Sequence, residues 1–114
     1  MATTKAAFVW FHNNSSDVKG AIAFYEKLLG WKAGDGPPGM TMFAGEAGPI
    51  AGIGGKDVEG GWVPYAQVED VDAATKLAVK LGAAVVKERT RGPAGDFSIV
   101  RDPGGAVVAL WQKA

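Results

Sequence analysis

The sequence contains no cysteine, and this absence removes several kinds of chemistry at once. A chain without thiols forms no disulfide, no thiolate metal site, no iron–sulfur cluster and no cysteine nucleophile. Histidine is nearly as scarce, because His12 is the single histidine among 114 residues. A divalent metal site needs three or four converging nitrogen or oxygen ligands, so one imidazole with distant carboxylates makes a poor site.

Excess charge and long apolar runs are missing as well. The 12 Lys and Arg residues balance 12 Asp and Glu residues. This balance argues against a nucleic-acid or anionic-membrane partner, because both need a basic surface. No apolar stretch approaches the ~20 residues of a membrane span, and residues 1–11 lack the apolar run of a signal peptide. We therefore expect a single soluble, cytoplasmic domain.

Two helices are predicted from apolar spacing and from the residues at their ends. The first covers residues 17–29, with Asp17 at its N-terminus and Gly30 as a left-handed stop. The second follows Asp70 and is stopped by Gly82. Each has an apolar stripe at helical spacing. The stripes are Val18, Ala21, Ile22, Tyr25, Leu28 and Leu29 in the first helix, and Val71, Ala74, Leu77, Ala78 and Leu81 in the second.

Short apolar or aromatic segments between turn residues predict the strands. The predicted strands are residues 8–11, 31–33, 40–44, 49–54, 62–68, 83–88, 96–101 and 106–111. Residues 89–95 are predicted to form a loop, and the charges from Lys87 to Arg91 to form a solvated edge. The segment Asp102-Pro103-Gly104-Gly105 supplies the last turn, because Asp, Pro and Gly favour these turn positions.

The predicted order β-α-β-β-β occurs twice, which indicates an internal repeat. The segments from Asp17 to Gly30 and from Asp70 to Gly82 are nearly equal in length. We predict an α+β fold with two βαβββ repeats, each a curved sheet with one helix, which together form a cleft. The repeat units are expected at about residues 5–58 and 60–114 of one domain covering residues 1–114.

Three motifs resemble those of the vicinal-oxygen-chelate superfamily, which includes glyoxalases, bleomycin-resistance proteins and dioxygenases. They are Asp17…Phe24-Tyr25…Gly30-Trp31, then Val68-Glu69-Asp70-Val71-Asp72-Ala73-Ala74, then Asp102-Pro103-Gly104-Gly105 followed by residues 107–111. They occur in this order over nearly the whole chain. The resemblance implies paired βαβββ modules, and it implies a homodimer in which modules of two subunits complete the clefts.

Metal-dependent members of that superfamily carry His and Glu ligands on inward-facing strand positions. By counting from the motifs, three of these positions fall on Trp10, Val63 and Ala109. The fourth falls within residues 49–54, which include no His or Glu. The resemblance therefore implies a member that lacks the metal ligands and uses no cofactor.

A small-molecule site is predicted on the same inward-facing positions. Its candidate ligand-binding residues are Trp10, His12, Val63, Tyr65, Gln67, Ala109 and Trp111. Aromatic walls with a few polar groups are typical of a pocket for a flat or apolar ligand. The favoured function is binding of a small apolar or aromatic molecule without chemistry.

Two other functions remain open at this point. One is a divergent enzyme of the lyase, isomerase or dioxygenase type, with His12 as its catalytic acid or base. The other is a structural or interaction module. In that case the aromatic side chains only fill the core, and His12 only caps the turn that follows its strand.

Overall fold

The computed structural model describes residues 5–54, 57–58 and 60–114. They form two compact units. The N-terminal unit is Trp10–Val63, and the C-terminal unit is Pro64–Ala114 with the described part of Met1–Val9. The element order is β-α-β-β-β twice, so the predicted α+β class and its two repeats are confirmed. Neither helix in these described ranges is long and apolar enough to cross a membrane.

The N-terminal unit has four strands and one helix. They are β1 (Phe8–Asn13, of which Phe8 and Val9 belong to the C-terminal unit), α1 (Val18–Leu29), β2 (Lys32–Asp35), β3 (Thr41–Gly45) and β4 (Gly48–Ile53). The strand order is β2-β3-β4-β1, in which only β4 and β1 run parallel. The helix begins and ends as predicted. The Asp17 carboxylate accepts a bond from the Gly20 N–H at 3.0 Å, and Gly30 is left-handed with φ 72°.

The core of the N-terminal unit lies between α1 and its sheet. Phe43, Ala51 and Ile53 are buried there. Tyr25 of α1 stacks on Trp31 with ring centroids 5.5 Å apart, and its hydroxyl accepts a bond from the indole N–H of Trp62 at 3.0 Å. Since side chains alternate along a strand, the residues between these core positions point to the sheet face away from α1.

The C-terminal unit repeats this plan. Its elements are β5 (Trp62–Gln67, of which Trp62 and Val63 belong to the N-terminal unit), α2 (Val71–Lys80), β6 (Ala84–Arg91), β7 (Gly95–Arg101) and β8 (Val107–Lys113). The strand order is β5-β8-β7-β6, and only β5 and β8 run parallel. The Asp70 carboxylate accepts a bond from the Ala73 N–H at 3.1 Å, and Gly82 has φ 106°.

One face of the C-terminal sheet packs against α2. The hydroxyl oxygens of Thr75 and Ser98 are 2.7 Å apart, and the Gln112 amide oxygen accepts a bond from the N–H of Val71 at 2.9 Å. Leu110 is the register partner of Ser98 and therefore faces α2 too. The odd-numbered residues of β7 and β8 consequently face away from the helix.

The loop predicted for residues 89–95 is wrong in its first half. Arg89–Arg91 continue β6, and Arg91 pairs with Asp96. The guanidinium of Arg89 explains the extension, because it bonds Asp96 at 2.8 Å on the sheet and Asp72 at 2.5 Å on α2. The hydrogen bond to Asp96, followed by that to Asp72, raises the pKa of Arg89 above the ordinary value of an arginine.

Candidate functional site

Three predicted site residues, Trp10, His12 and Val63, belong to the N-terminal unit. His12 on β1 is the register partner of Gly52 on β4. A side chain at Gly52 would crowd its neighbours, since a Cβ there would lie 3.2 Å from the Trp10 ring and 3.3 Å from His12 Nδ1. The structure thus brings Trp10 and His12 together above Gly52. Val63 is 2% exposed.

The His12 ring is bonded to the backbone of a distant segment. It is 5% exposed, and its Nε2 forms a hydrogen bond with the carbonyl oxygen of Gly54. A carbonyl oxygen only accepts, so Nε2 is the donor of this bond. His12 was expected to cap the turn that directly follows its strand. Its ring instead bonds Gly54, and so joins β1 to the end of β4.

The other four predicted residues, Tyr65, Gln67, Ala109 and Trp111, belong to the C-terminal unit and share one sheet face. Tyr65 pairs with Ala109, and Gln67 pairs with Trp111, across the parallel strands β5 and β8. On β8, Ala109 and Trp111 alternate with the residues that face α2. All four side chains therefore project from the face of the sheet opposite α2.

Two residues that sequence reasoning missed complete the floor of this face. On β7, Phe97 pairs with Trp111, and Ile99 pairs with Ala109. The rings of Tyr65 and Phe97 contact each other, with centroids 5.6 Å apart and tilted by 46°. The last turn could have revealed both residues. It pairs Arg101 with Val107, and counting four residues away from the turn along each strand pairs Phe97 with Trp111.

Lys87 of β6 also lies on this face, contrary to the solvated edge predicted for it. Val85 pairs with Val100 on the α2 side, so strict alternation would turn Lys87 toward α2 as well. A register shift between Val85 and Lys87 instead pairs Lys87 with Ile99, and a second shift follows it. Such β-bulges re-aim side chains. The Lys87 ammonium consequently sits 5.8 Å from the centroid of the Phe97 ring.

We refer to these seven side chains as the aromatic face. They are Tyr65, Gln67, Lys87, Phe97, Ile99, Ala109 and Trp111. Ile99 and Ala109 are fully buried, and Phe97 is 9% exposed. Tyr65, Lys87 and Trp111 are half-buried, and Gln67 is exposed. The face therefore combines a closed apolar floor with aromatic, cationic and amide groups at its surface.

The positions assigned to metal ligands by the resemblance carry no suitable donor atom. Val63 and Ala109 have hydrocarbon side chains, and the Trp10 indole N–H donates a hydrogen bond but offers no lone pair. β4 consists of glycine, proline, isoleucine and alanine. These residues do not fit a divalent metal ion. Within the described ranges, no three acidic or histidine side chains cluster closely enough to hold a metal.

A known protein family matches most of this chain. Residues 8–110 match the Glyoxalase/Bleomycin resistance protein/Dioxygenase superfamily. The chain belongs to this superfamily. The resemblance noted in the sequence is thereby confirmed, and the match covers both βαβββ repeats of this superfamily member.

Curated relatives of this superfamily member are longer than the chain itself. "Putative glyoxylase CFP32" of Mycobacterium tuberculosis is 36% identical over 115 residues, which cover 90% of this chain and 44% of that protein. "Anthracycline biosynthesis protein DnrV" of Streptomyces peucetius is 29% identical over 126 residues, covering 91% and 46%. The chain thus spans about half the length of the curated relatives that it matches.

Solved structures share the fold at lower identity. Methylmalonyl-CoA epimerase from Mycobacterium tuberculosis is 22% identical with a TM-score of 0.62, covering 100% of this chain and 93% of that chain. A superfamily member from Vibrio splendidus is 13% identical with a TM-score of 0.65, covering 96% and 100%. At these identities the similarity concerns the superfamily fold alone.

Proposed function

We propose that this superfamily member binds a small apolar or aromatic molecule on the aromatic face of its C-terminal unit. The observation that carries the proposal is the alignment of Tyr65, Phe97 and Trp111 on three adjacent strands of one sheet face. Rings held on strands are more rigidly positioned than rings on loops, so less conformational entropy is lost when a ligand stacks on them.

The exposure of the rings supports ligand binding over a purely structural role. Aromatic side chains that only fill a core are covered on both sides, whereas Tyr65 and Trp111 keep part of their surface accessible. Beside them, the exposed Gln67 amide can both donate and accept hydrogen bonds, which suits a ligand carbonyl or hydroxyl. The remaining predicted residues, Trp10, His12 and Val63, lie in the N-terminal unit and stay a separate prediction.

A thermal-shift screen of aromatic compounds tests the proposal. A ligand that binds the native state at 100 times its Kd raises the free energy of unfolding by about 2.7 kcal/mol. Compounds that raise the melting temperature of the wild type should lose this effect in Trp111→Leu and in Tyr65→Leu. The matched control is Phe11→Leu, which alters an exposed aromatic residue of β1 in the other unit.

Two results would contradict this proposal. One is a panel of diverse aromatic compounds none of which raises the melting temperature of the wild type. The other is a compound whose shift is as large in Trp111→Leu and Tyr65→Leu as in the wild type and in Phe11→Leu.

We also propose that the chain pairs with a second copy of itself. Each helix carries two exposed apolar side chains four residues apart, and therefore on one face. Phe24 and Leu28 on α1 are 56% and 61% exposed. Leu77 on α2 and Leu81, the residue that caps its C-terminus, are 39% and 69% exposed. They occupy equivalent repeat positions, since Phe24 follows Asp17 at the same distance as Leu77 follows Asp70.

The length of the relatives supports a second copy as the partner. The chain covers less than half of CFP32 and of DnrV, so a second copy would supply a comparable additional length of related chain. Sedimentation equilibrium at micromolar concentration should give a dimer, which Leu77→Ser/Leu81→Ser weakens. Val79→Ser is the control, because Val79 is also exposed but points elsewhere on α2. A wild-type monomer would refute the pairing.

A further inference from the structure

The sheet face of the N-terminal unit opposite α1 is open at Gly52. Both neighbours of Gly52 in β4 pack on the α1 side, so Gly52 lies on the opposite face. From the point where a Cβ of Gly52 would lie, the Met40 sulfur and the Trp10 ring are each 3.2 Å away, and Nδ1 of His12 is 3.3 Å away. A thioether, an indole ring and an imidazole nitrogen thus surround one point. We refer to these three side chains around Gly52 as the Gly52 site.

The imidazole of His12 has the orientation that metal-binding histidines adopt. Its Nε2 donates to the carbonyl oxygen of Gly54, and the residue is 5% exposed. In the neutral ring this leaves the lone pair on Nδ1, the atom that faces Gly52. Histidines that bind metals usually donate their other N–H to a carbonyl or carboxylate, which fixes the tautomer and the ring orientation. The bond to Gly54 therefore prepares Nδ1 to act as a ligand.

A tight turn holds the backbone of Met40 next to this nitrogen. The Met40 N–H donates to the carbonyl oxygen of Pro37 at 2.9 Å, and Gly39 has φ 80°. A positive φ at the third residue is typical of a type II turn, in which glycine is favoured at that position. The methionine side chain itself is flexible and polarizable. Its sulfur can consequently adjust toward an ion that His12 also binds.

We propose that the Gly52 site binds the soft monovalent ion Cu(I) through Nδ1 of His12 and the sulfur of Met40. Thioether sulfur selects Cu(I), and imidazole nitrogen suits copper as well, whereas Mg²⁺, Ca²⁺ and Mn²⁺ prefer carboxylate and water oxygens. Cu(I) also forms stable complexes with few ligands, so two side chains suffice. The ring of Trp10 beside them limits the access of water to the ion.

This site differs from the divalent site of the superfamily in its ligands and in its chemistry. Neither His12 nor Met40 occupies a position counted for the superfamily's divalent ligands. A thioether takes part here, and thioethers bind divalent ions poorly compared with carboxylates or thiolates. The Gly52 site belongs to the N-terminal unit and the aromatic face to the C-terminal unit. The two proposals are therefore independent of each other.

NMR spectroscopy of the single histidine tests the site directly. Because His12 is the one histidine of the chain, its ring protons give signals that are assigned without ambiguity. Cu(I) is diamagnetic, and it is added to the wild type under nitrogen. The His12 ring signals and the Met40 methyl signal should shift and reach saturation at an equimolar amount of Cu(I). Zn²⁺ at the same concentration should leave them in place.

Two variants and a matched control measure the affinity by competition with the Cu(I) chelator bicinchoninate. Met40→Leu removes the sulfur at similar volume, and Gly52→Ala fills the site with a methyl group at a position where φ is not positive. Each should weaken Cu(I) binding at least about tenfold, the lower end of the cost of removing a group that supports a metal ligand. Met42→Leu should bind as the wild type does, because the Met42 sulfur lies beside Gly36 instead.

Several outcomes would overturn the site. They are unshifted His12 signals in the presence of Cu(I), an equal shift with Zn²⁺, and equal Cu(I) affinities of Met40→Leu and the wild type. A loss in Met42→Leu as large as that in Met40→Leu would overturn it as well. Circular dichroism checks that each variant is folded. If Gly52→Ala does not fold, Met40→Leu decides, because volume-conserving changes are well tolerated.

Discussion

Replacing Gly54 by alanine should strongly destabilise the N-terminal unit. Gly54 follows β4 with φ 140°, a backbone conformation that L-residues rarely adopt. A Cβ at this position would lie 2.4 Å from the carbonyl oxygen of Gly39 and 3.2 Å from the Cα of Met40. Both obstacles are backbone atoms, so no side-chain rotation relieves the overlap. The carbonyl of Gly54 also accepts the hydrogen bond of His12, which would shift with it.

The expected loss combines two contributions. The unfavourable φ costs about 1–3 kcal/mol, and forcing extra volume into a packed site costs about 1–3 kcal/mol more. The sum of about 2–6 kcal/mol is a large part of the 5–15 kcal/mol by which domains are typically stable. For a chain of this length, each kcal/mol lowers the melting temperature by about 4 °C. Gly54→Ala should therefore melt about 8–24 °C below the wild type.

Urea denaturation followed by circular dichroism, together with thermal melting, measures this loss. Gly45→Ala is the matched control, because a Cβ there would meet only Ile50 methyl groups at an ordinary 3.7 Å. Its φ is not positive, so alanine should change the stability by less than about 1 kcal/mol. Equal urea midpoints for Gly54→Ala and Gly45→Ala would show that the steric reasoning at Gly54 is wrong.

Three further predictions concern single contacts, and urea midpoints measure each. His12→Ala should cost about 2–4 kcal/mol, because it removes a buried ring and its bond to a backbone carbonyl; wild-type stability would refute this role. Asp70→Ala should cost about 1 kcal/mol through loss of the helix N-cap, and an unchanged midpoint would mean that the cap is redundant. Ser98→Ala should cost about 1 kcal/mol, since Thr75 keeps its bond to a backbone carbonyl; a loss above about 3 kcal/mol would contradict this.

The helices were the elements that sequence reasoning located most closely. Both start after an aspartate; α1 ends at its glycine cap, Gly30, and α2 ends at Leu81, directly before Gly82. Each of these residues acts within one helical turn of its own position. Their apolar stripes were less informative about contacts. Leu28 and Leu81 continue the predicted stripes but are 61% and 69% exposed, because each sheet covers only part of its helix.

Part of the candidate site followed from the resemblance and from strand alternation. Tyr65, Gln67, Ala109 and Trp111 were predicted together, and the structure places them on one face of the C-terminal unit. Their role in binding remains a prediction. Phe97 was missed, because its partner on β8 depends on the hairpin register and not on the composition of its own strand.

The sequence by itself determined the order of elements, the internal repeat, the helix ends and the absence of metal-ligating residues at the positions counted from its motifs. These features depend on residue type and on short spacing. Only the tertiary structure decided that His12 bonds Gly54 and that Lys87 lies over Phe97. Both depend on contacts between separate strands. A one-residue shift in strand register moves a side chain to the opposite face, and no local pattern around Lys87 encodes that shift.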